Sequence, residues 1–257
     1  MTAILSNQIT YNLQTFKDGK LYDPLMEMIA PGLFLVLFYF IVATFGGQMM
    51  NAVVEEKENR VSEMILTTIR ARTLIVGKIF AFMVLILIQM LVIINLILLA
   101  YLLLGSFINL PSFDLSSIPF DASRILTGLL IFVASLSLFS GLLVAIGAAM
   151  PTAKEAGQFF SIPMVLLFAP LYITPMLMAG ITNPAITFIT YFPFTAPVTL
   201  LLRNAVGTLE ISELIIGVVI LAVSAVVVFI IAARLFQTGA VEYTRRMSLK
   251  GVLVKKK

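Results

Sequence analysis

The chain has 257 residues, of which 60% are hydrophobic and only 12% charged, with a formal net charge of +4 and a mean hydropathy of +1.08. Soluble domains carry about twice that charged fraction, so composition excludes a soluble globular protein. The absence of cysteine and histidine removes disulfides, thiol chemistry and the zinc sites of intramembrane metalloproteases.

Residues 1–25 are polar and mixed, a short external arm ending at Tyr22-Asp23-Pro24. No basic stretch precedes an apolar one there, so the arm does not read as a cleavable signal peptide and the first span must itself direct insertion. A helix of about 20 apolar residues crosses a bilayer. Five such stretches occur, at 31–53, 74–104, 125–150, 159–179 and 211–235. They are continuous rather than alternating with a period of two, which predicts helices and not barrel strands. The expected fold is therefore an all-α polytopic integral membrane protein. It forms one integral membrane domain over 1–257, with a membrane region at 26–236 and a basic tail at 237–257.

Between the first two spans lies the run Glu55-Glu56-Lys57-Glu58-Asn59-Arg60-Val61-Ser62-Glu63-Met64. Glu56 and Arg60 are four apart in the favourable order, while Val54, Val61, Ile65 and Ile69 share a helical stripe. This predicts an amphipathic helix over 54–73, suited to the membrane interface or to the grip of a soluble partner; a solvated loop is the plainer alternative. In the second span, Gln89 and Asn95 are the strongly polar interior residues, each suited to bonding a neighbouring helix. Ser137, Gly141, Ala145 and Ala149 recur every fourth residue in the third span, a spacing that lets helices approach closely, within the chain or across a dimer seam.

The third and fourth spans are joined by a tight turn containing Lys154 and Glu155. Pro163, Pro170 and Pro175 are expected to break and bend the fourth span. The region 183–207 is apolar but interrupted by Pro184, Pro193 and Pro197. Each half is too short to cross, which predicts an external re-entrant helical hairpin dipping in from outside, with a purely interfacial loop as the alternative. Thirteen of the 17 basic residues fall on one side of this topology and four (Lys17, Lys20, Arg124, Arg203) on the other. The positive-inside rule then puts the N-terminus outside and the C-terminus in the cytoplasm, with the basic tail against anionic lipid headgroups.

No Asp or Glu sits in the middle of a span, and no Gly-x-x-x-x-Gly-Lys-Ser/Thr occurs. The residues therefore point to no catalytic group, no metal, no cofactor and no nucleic-acid partner, and energy for uphill transport is expected from a separate protein. The order of motifs resembles the membrane permease subunits of ABC-2-type ATP-binding-cassette transporters, closest to the sodium-efflux and drug-export-like members. Four stretches carry the resemblance: residues 55–65, Gly77-Lys78-Ile79, Thr152-Ala153-Lys154-Glu155-Ala156, and Phe192-Pro193-Phe194-Thr195-Ala196-Pro197 with Leu202-Arg203 following.

The resemblance implies a permease half, not itself an enzyme, that pairs with a second half and with cytoplasmic ATPase subunits in the cell membrane. Glu55, Glu56, Glu58, Arg60 and Glu63 would form the main ATPase contact, and Lys154 and Glu155 a smaller one. Pro193, Pro197 and Arg203 would belong to the hairpin. The family pattern has six spans with a large external region after the first, whereas this chain starts inside that region. A shortened version, a misplaced start and a separate polypeptide would each account for the difference. On the residues alone, a membrane scaffold that recruits a cytoplasmic partner and an ATP-independent carrier also stay open. Apolar spans with scattered Asn, Gln, Ser and Thr suit lipids, hydrophobic drugs, peptides or ions as cargo.

Overall fold

The computed structural model describes residues 15–17, 20–22, 24–59, 64–65, 67–104, 121–178, 181 and 183–239. A short antiparallel hairpin, β1 (Thr15–Lys17) and β2 (Lys20–Tyr22), precedes the helices, with Thr15 opposite Tyr22. There follow α1 (Pro24–Glu58), α2 (Ala71–Leu104), α3 (Ala122–Ala149) and α4 (Ala153–Phe168). A 3-10 segment (Ala169–Ile173) then leads to α5 (Thr174–Met178), α6 (Pro184–Tyr191), α7 (Ala196–Val206) and α8 (Ile211–Gly239).

Five segments are long and apolar enough to cross a membrane: Gly32–Glu58, Thr73–Leu103, Ala122–Ala149, Ala153–Leu177 and Ile211–Gln237. These are the five spans expected from the sequence, and α6 and α7 form an additional pair bent by 106°. At 1.5 Å per residue, α6 and α7 are only about 12 and 17 Å long against a hydrocarbon core of ~30 Å. Neither is long enough to cross alone, and together they form a bent helical hairpin. The all-α polytopic architecture holds.

Helix α3 is the axis of the bundle. In its most apolar stretch 61% of residues are buried, against 11% in α2, so α3 is surrounded by protein and α2 faces lipid. Around α3, Phe38 of α1 meets Phe132 and Phe139 edge-on at 6.3 and 5.5 Å, in a cluster that also takes Leu200 of α7 and Leu221 of α8. A second cluster gathers Val53, Val54, Ile75, Val144, Ala148 and Phe236 at the opposite end.

Small residues set these distances. A Cβ on Gly141 would stand 2.5 Å from the Phe229 ring of α8, and one on Gly147 would stand 2.6 Å from the Met50 carbonyl oxygen of α1. Close approach of this kind is how spans associate where lipid offers no hydrophobic gradient. The four-residue stripe thus packs within the chain. Gly141 lies against α8, Ser137 Oγ donates to Val133 O at 2.8 Å and to Met83 Sδ of α2 at 3.4 Å, and Ala145 and Ala149 are buried.

Two local expectations change. Residues 55–58 do not begin a separate helix: they are the last turn of α1, made of strong helix formers and continuous with Val53 and Val54, both fully buried. In the fourth span, Pro163 is accommodated inside α4. The departure from α geometry comes in the 3-10 segment Ala169–Ile173, which carries Pro170 at its start. Bilayer helices tolerate proline when packing satisfies the freed backbone.

Candidate functional site

Polar side chains converge at the two ends of the bundle. At the end where α1 and α3 finish and α2 and α4 begin, three successive residues of α1 bind three different helices. Glu56 forms an ion pair with Lys78 of α2, whose side chain is only 11% exposed. Lys57, 2% exposed, donates to the carbonyls of Ala148 and Met150 at 3.3 and 3.2 Å. These are terminal carbonyls of α3, the negative end of its dipole, where a cation is favoured by up to ~2 kcal/mol in partly buried geometry. Glu58 Oε1 accepts the backbone N–H of Ala153 at 3.2 Å, at the amide-rich start of α4, where an anion is favoured.

The start of α4 is itself capped. Thr152 Oγ1 accepts the Glu155 N–H at 3.3 Å, so the Thr-x-x-Glu spacing behaves as one half of a capping box. Glu55 and Lys154 are exposed beside this knot, and Glu155 is half-buried. Thus Glu55, Glu56, Glu58, Lys154 and Glu155 are brought to one end of the molecule. Arg60 and Glu63 lie outside the described residues.

At the opposite end the hairpin is tied into the bundle by Arg203 of α7. Its guanidinium donates to both carboxylate oxygens of Glu213, Nη1 to Oε1 at 2.8 Å and Nη2 to Oε2 at 2.5 Å, and to the Thr208 carbonyl at 3.0 Å. Glu213 also accepts the N–H of Glu210 at 3.1 Å, so a single carboxylate caps α8 and clamps α7. Between them the chain reverses at Gly207, whose φ of +80° is the left-handed conformation glycine adopts freely. Asn204, 4% exposed, donates from Nδ2 to the Arg124 carbonyl of α3 at 2.9 Å.

The bend between α6 and α7 leaves carbonyls that no helix satisfies. Thr195 Oγ1 donates to Ile189 O at 2.5 Å, and Thr199 Oγ1 donates to Ala196 O at 3.1 Å and Thr190 O at 3.3 Å. Pro193 occupies the turn and Pro197 the first turn of α7. Stacked rings of Phe188 and Phe192, 5.5 Å apart, line a 690 Å³ surface cavity with Asn183, Thr187 and Tyr191. A 260 Å³ cavity between Tyr191, Thr190, Arg203 and Glu213 adjoins it.

Sequence reasoning singled out Arg203 but not Glu213 or Asn204. The available signal was a carboxylate at the start of a last span whose only other charge is Arg234 near its far end, and an amide in an apolar stretch. Lys57 was read only as part of a charged run, because nothing local marks it as buried.

Residues 1–234 match the family described as ABC-2 family transporter protein. The chain is 26% identical over 237 residues to the uncharacterized protein MJ1024 of Methanocaldococcus jannaschii, covering 92% of this chain and 56% of that protein. It is 23% identical over 260 residues to the uncharacterized protein YhaP of Bacillus subtilis, covering 95% of this chain and 59% of that protein. The chain therefore spans less than two thirds of the length of these curated relatives. No solved structure matches it. Five spans, a bent helix pair and a family match over almost the whole chain lead to one assignment: the protein belongs to the ABC-2 family of transporter proteins, as a multi-pass membrane permease component.

Proposed function

We propose that this chain is one permease half of an ATP-driven exporter, working with a second half and with cytoplasmic ATPase subunits that dock on the Glu55 end. The observation that carries the reading is the clasp of Glu56, Lys57 and Glu58. One helical turn is bonded to α2, to the end of α3 and to the start of α4, so a force applied there reaches four of the five spans at once. Glu55 and Lys154, exposed beside the clasp, offer charges of both signs to a complementary cleft. A buried hydrogen-bonded pair of that kind costs about 2–5 kcal/mol when truncated, and exposed rim pairs far less.

The orientation follows from charge. Thirteen of 17 Lys and Arg belong to the Glu55 side of the topology, which supports a cytoplasmic position for that end, an external hairpin and an N-terminus outside the cell membrane. Closure of the ATPases would then tilt the spans and alternate access to a path between the two halves. The cargo is a small molecule, ion or lipid-like compound.

Glu58 also caps α4, so its removal would confuse docking with folding. The cleaner test reverses exposed charges with Glu55→Lys and Lys154→Glu together. The expected result is a variant that inserts and elutes like the parent but no longer co-purifies with its ATPase and shows no ATP-dependent flux. Unchanged partner capture and flux would remove this end from the coupling path.

A further inference from the structure

A cavity of 370 Å³ opens between α1 and α2, lined by Phe45, Gln48, Met49 and Ala52 on one side and Phe82, Leu85, Ile86 and Gln89 on the other. Its lining residues belong to two segments long and apolar enough to cross a membrane. Gln89 is one residue past residue 88, the midpoint of the Thr73–Leu103 span, and Gln48 is three past residue 45, the midpoint of Gly32–Glu58, or about 4.5 Å along the axis. Leu85 at its rim is 58% exposed, so the opening faces lipid rather than water.

The two amides are the anomaly. Each primary amide has two N–H donors and a carbonyl acceptor, yet neither Gln48 nor Gln89 hydrogen-bonds another described residue. By contrast, Asn95 on the same helix satisfies itself, donating to the Leu91 carbonyl at 2.8 Å. Amides without partners in hydrocarbon are costly. Gln48 is exposed at the rim and Gln89 half-buried, and the two line one cavity from different helices as a pair of hydrogen-bonding groups. No Lys, Arg, Asp or Glu lines the space, so a charged headgroup would enter it unpaired.

We infer that the Gln48–Gln89 cleft is a lateral binding site for an uncharged amphiphile. Its hydrogen-bonding group (an amide, ester or hydroxyl) would sit between the two glutamines, and its apolar part against Phe45, Phe82 and Leu85. The cleft extends over about two helical turns on each side, which suits the polar group of a small molecule better than the full length of another span. This site is separate from the ATPase-docking end and does not depend on it.

The test uses the full chain in nanodiscs with two photoreactive probes of equal chain length, an N-alkyl carboxamide and a plain hydrocarbon, each bearing a diazirine. The carboxamide is expected to label peptides containing residues 45–52 and 82–89. Gln48→Leu with Gln89→Leu should lower that labelling at least tenfold while leaving hydrocarbon labelling unchanged, and Ala52→Phe, which fills the cleft, should lower both. Circular dichroism and a single elution peak establish that each variant is folded. Labelling spread along the exposed face of α2 and indifferent to all three substitutions would overturn the site. So would exclusion of the probes together with crosslinking of Gln89→Cys to a second copy or another chain, which would make the cleft a helix-docking seam. Either failure leaves the charge-reversal test of ATPase docking untouched.

Discussion

Lys57 illustrates how one residue is decided by its surroundings. In sequence it is a cation among glutamates, and a solvated position would be its ordinary fate. In the fold it is buried, with its ammonium on the last carbonyls of α3, so its charge meets a helix dipole of the favourable sign. Removing the ammonium forfeits the dipole interaction, worth up to ~2 kcal/mol, whereas leaving a wrong or uncompensated buried charge costs about 3–5 kcal/mol. Thermal unfolding in detergent should therefore separate two variants. Lys57→Met is expected to stay within about 1–2 kcal/mol of the parent, and Lys57→Glu, which sets a carboxylate against carbonyls, to lose several. Equal stability of the two would mean that the ammonium does not engage the end of α3. Gly141 is governed by space instead. Gly141→Leu must displace the Phe229 ring of α8, an overpacking cost of about 1–3 kcal/mol or more, visible as a lower midpoint in the same measurement.

At the scale of the element, the hairpin explains why a broken helix survives in a membrane. Every carbonyl freed at a bend needs a donor, and the Thr195 and Thr199 hydroxyls supply it. The element is then held by the bidentate Arg203–Glu213 pair, with side chains 17% and 23% exposed. A pair at that depth is not a surface bridge, and charge-assisted bonds of this kind are worth about 1.5–3 kcal/mol. A double-mutant cycle of Arg203→Ala and Glu213→Ala should return a coupling energy in that range. A coupling near zero would show that apolar packing alone seats α7. The prolines made the interruption of 183–207 legible in the sequence. They did not reveal the clamp, because Glu213 lies ten residues from Arg203 across a reversed chain and no local pattern joins the two.

For the whole molecule, topology and coupling are linked. The cysteine-free chain allows single labels without background. Lys154→Cys is expected to react only from the cytoplasmic side, while Ile181→Cys and Thr208→Cys, on either flank of the hairpin, should both react from outside. Labels at 181 and 208 on opposite sides would make α6 and α7 a sixth crossing and would reverse the orientation of α8, moving both of its ends to the other side. The clasp at the Glu55 end also makes a mechanical prediction. If that turn moves as a unit with α2, α3 and α4, distances from it to the starts of α2 and α4 should stay constant when nucleotide is added, while its distance to the hairpin end changes, as spin-label pairs would report.

The span count, the helical class, the charge asymmetry and the interrupted hairpin were all readable from the order of residues, because hydrocarbon thickness and the need to satisfy each backbone group leave few alternatives for long uncharged stretches. The order of motifs was enough to suggest the family. Tertiary structure alone decided which polar groups meet. It continued α1 through Glu58, turned Lys57 inward onto α3, joined Arg203 to Glu213, and left Gln48 and Gln89 facing one cleft. Those outcomes depend on which faces of separate helices come together. In a bilayer that choice is made by small-residue contacts such as Gly141–Phe229 and Gly147–Met50 and by a few polar bonds. Hydrophobic patterning contributes little, because it is nearly uniform around each span.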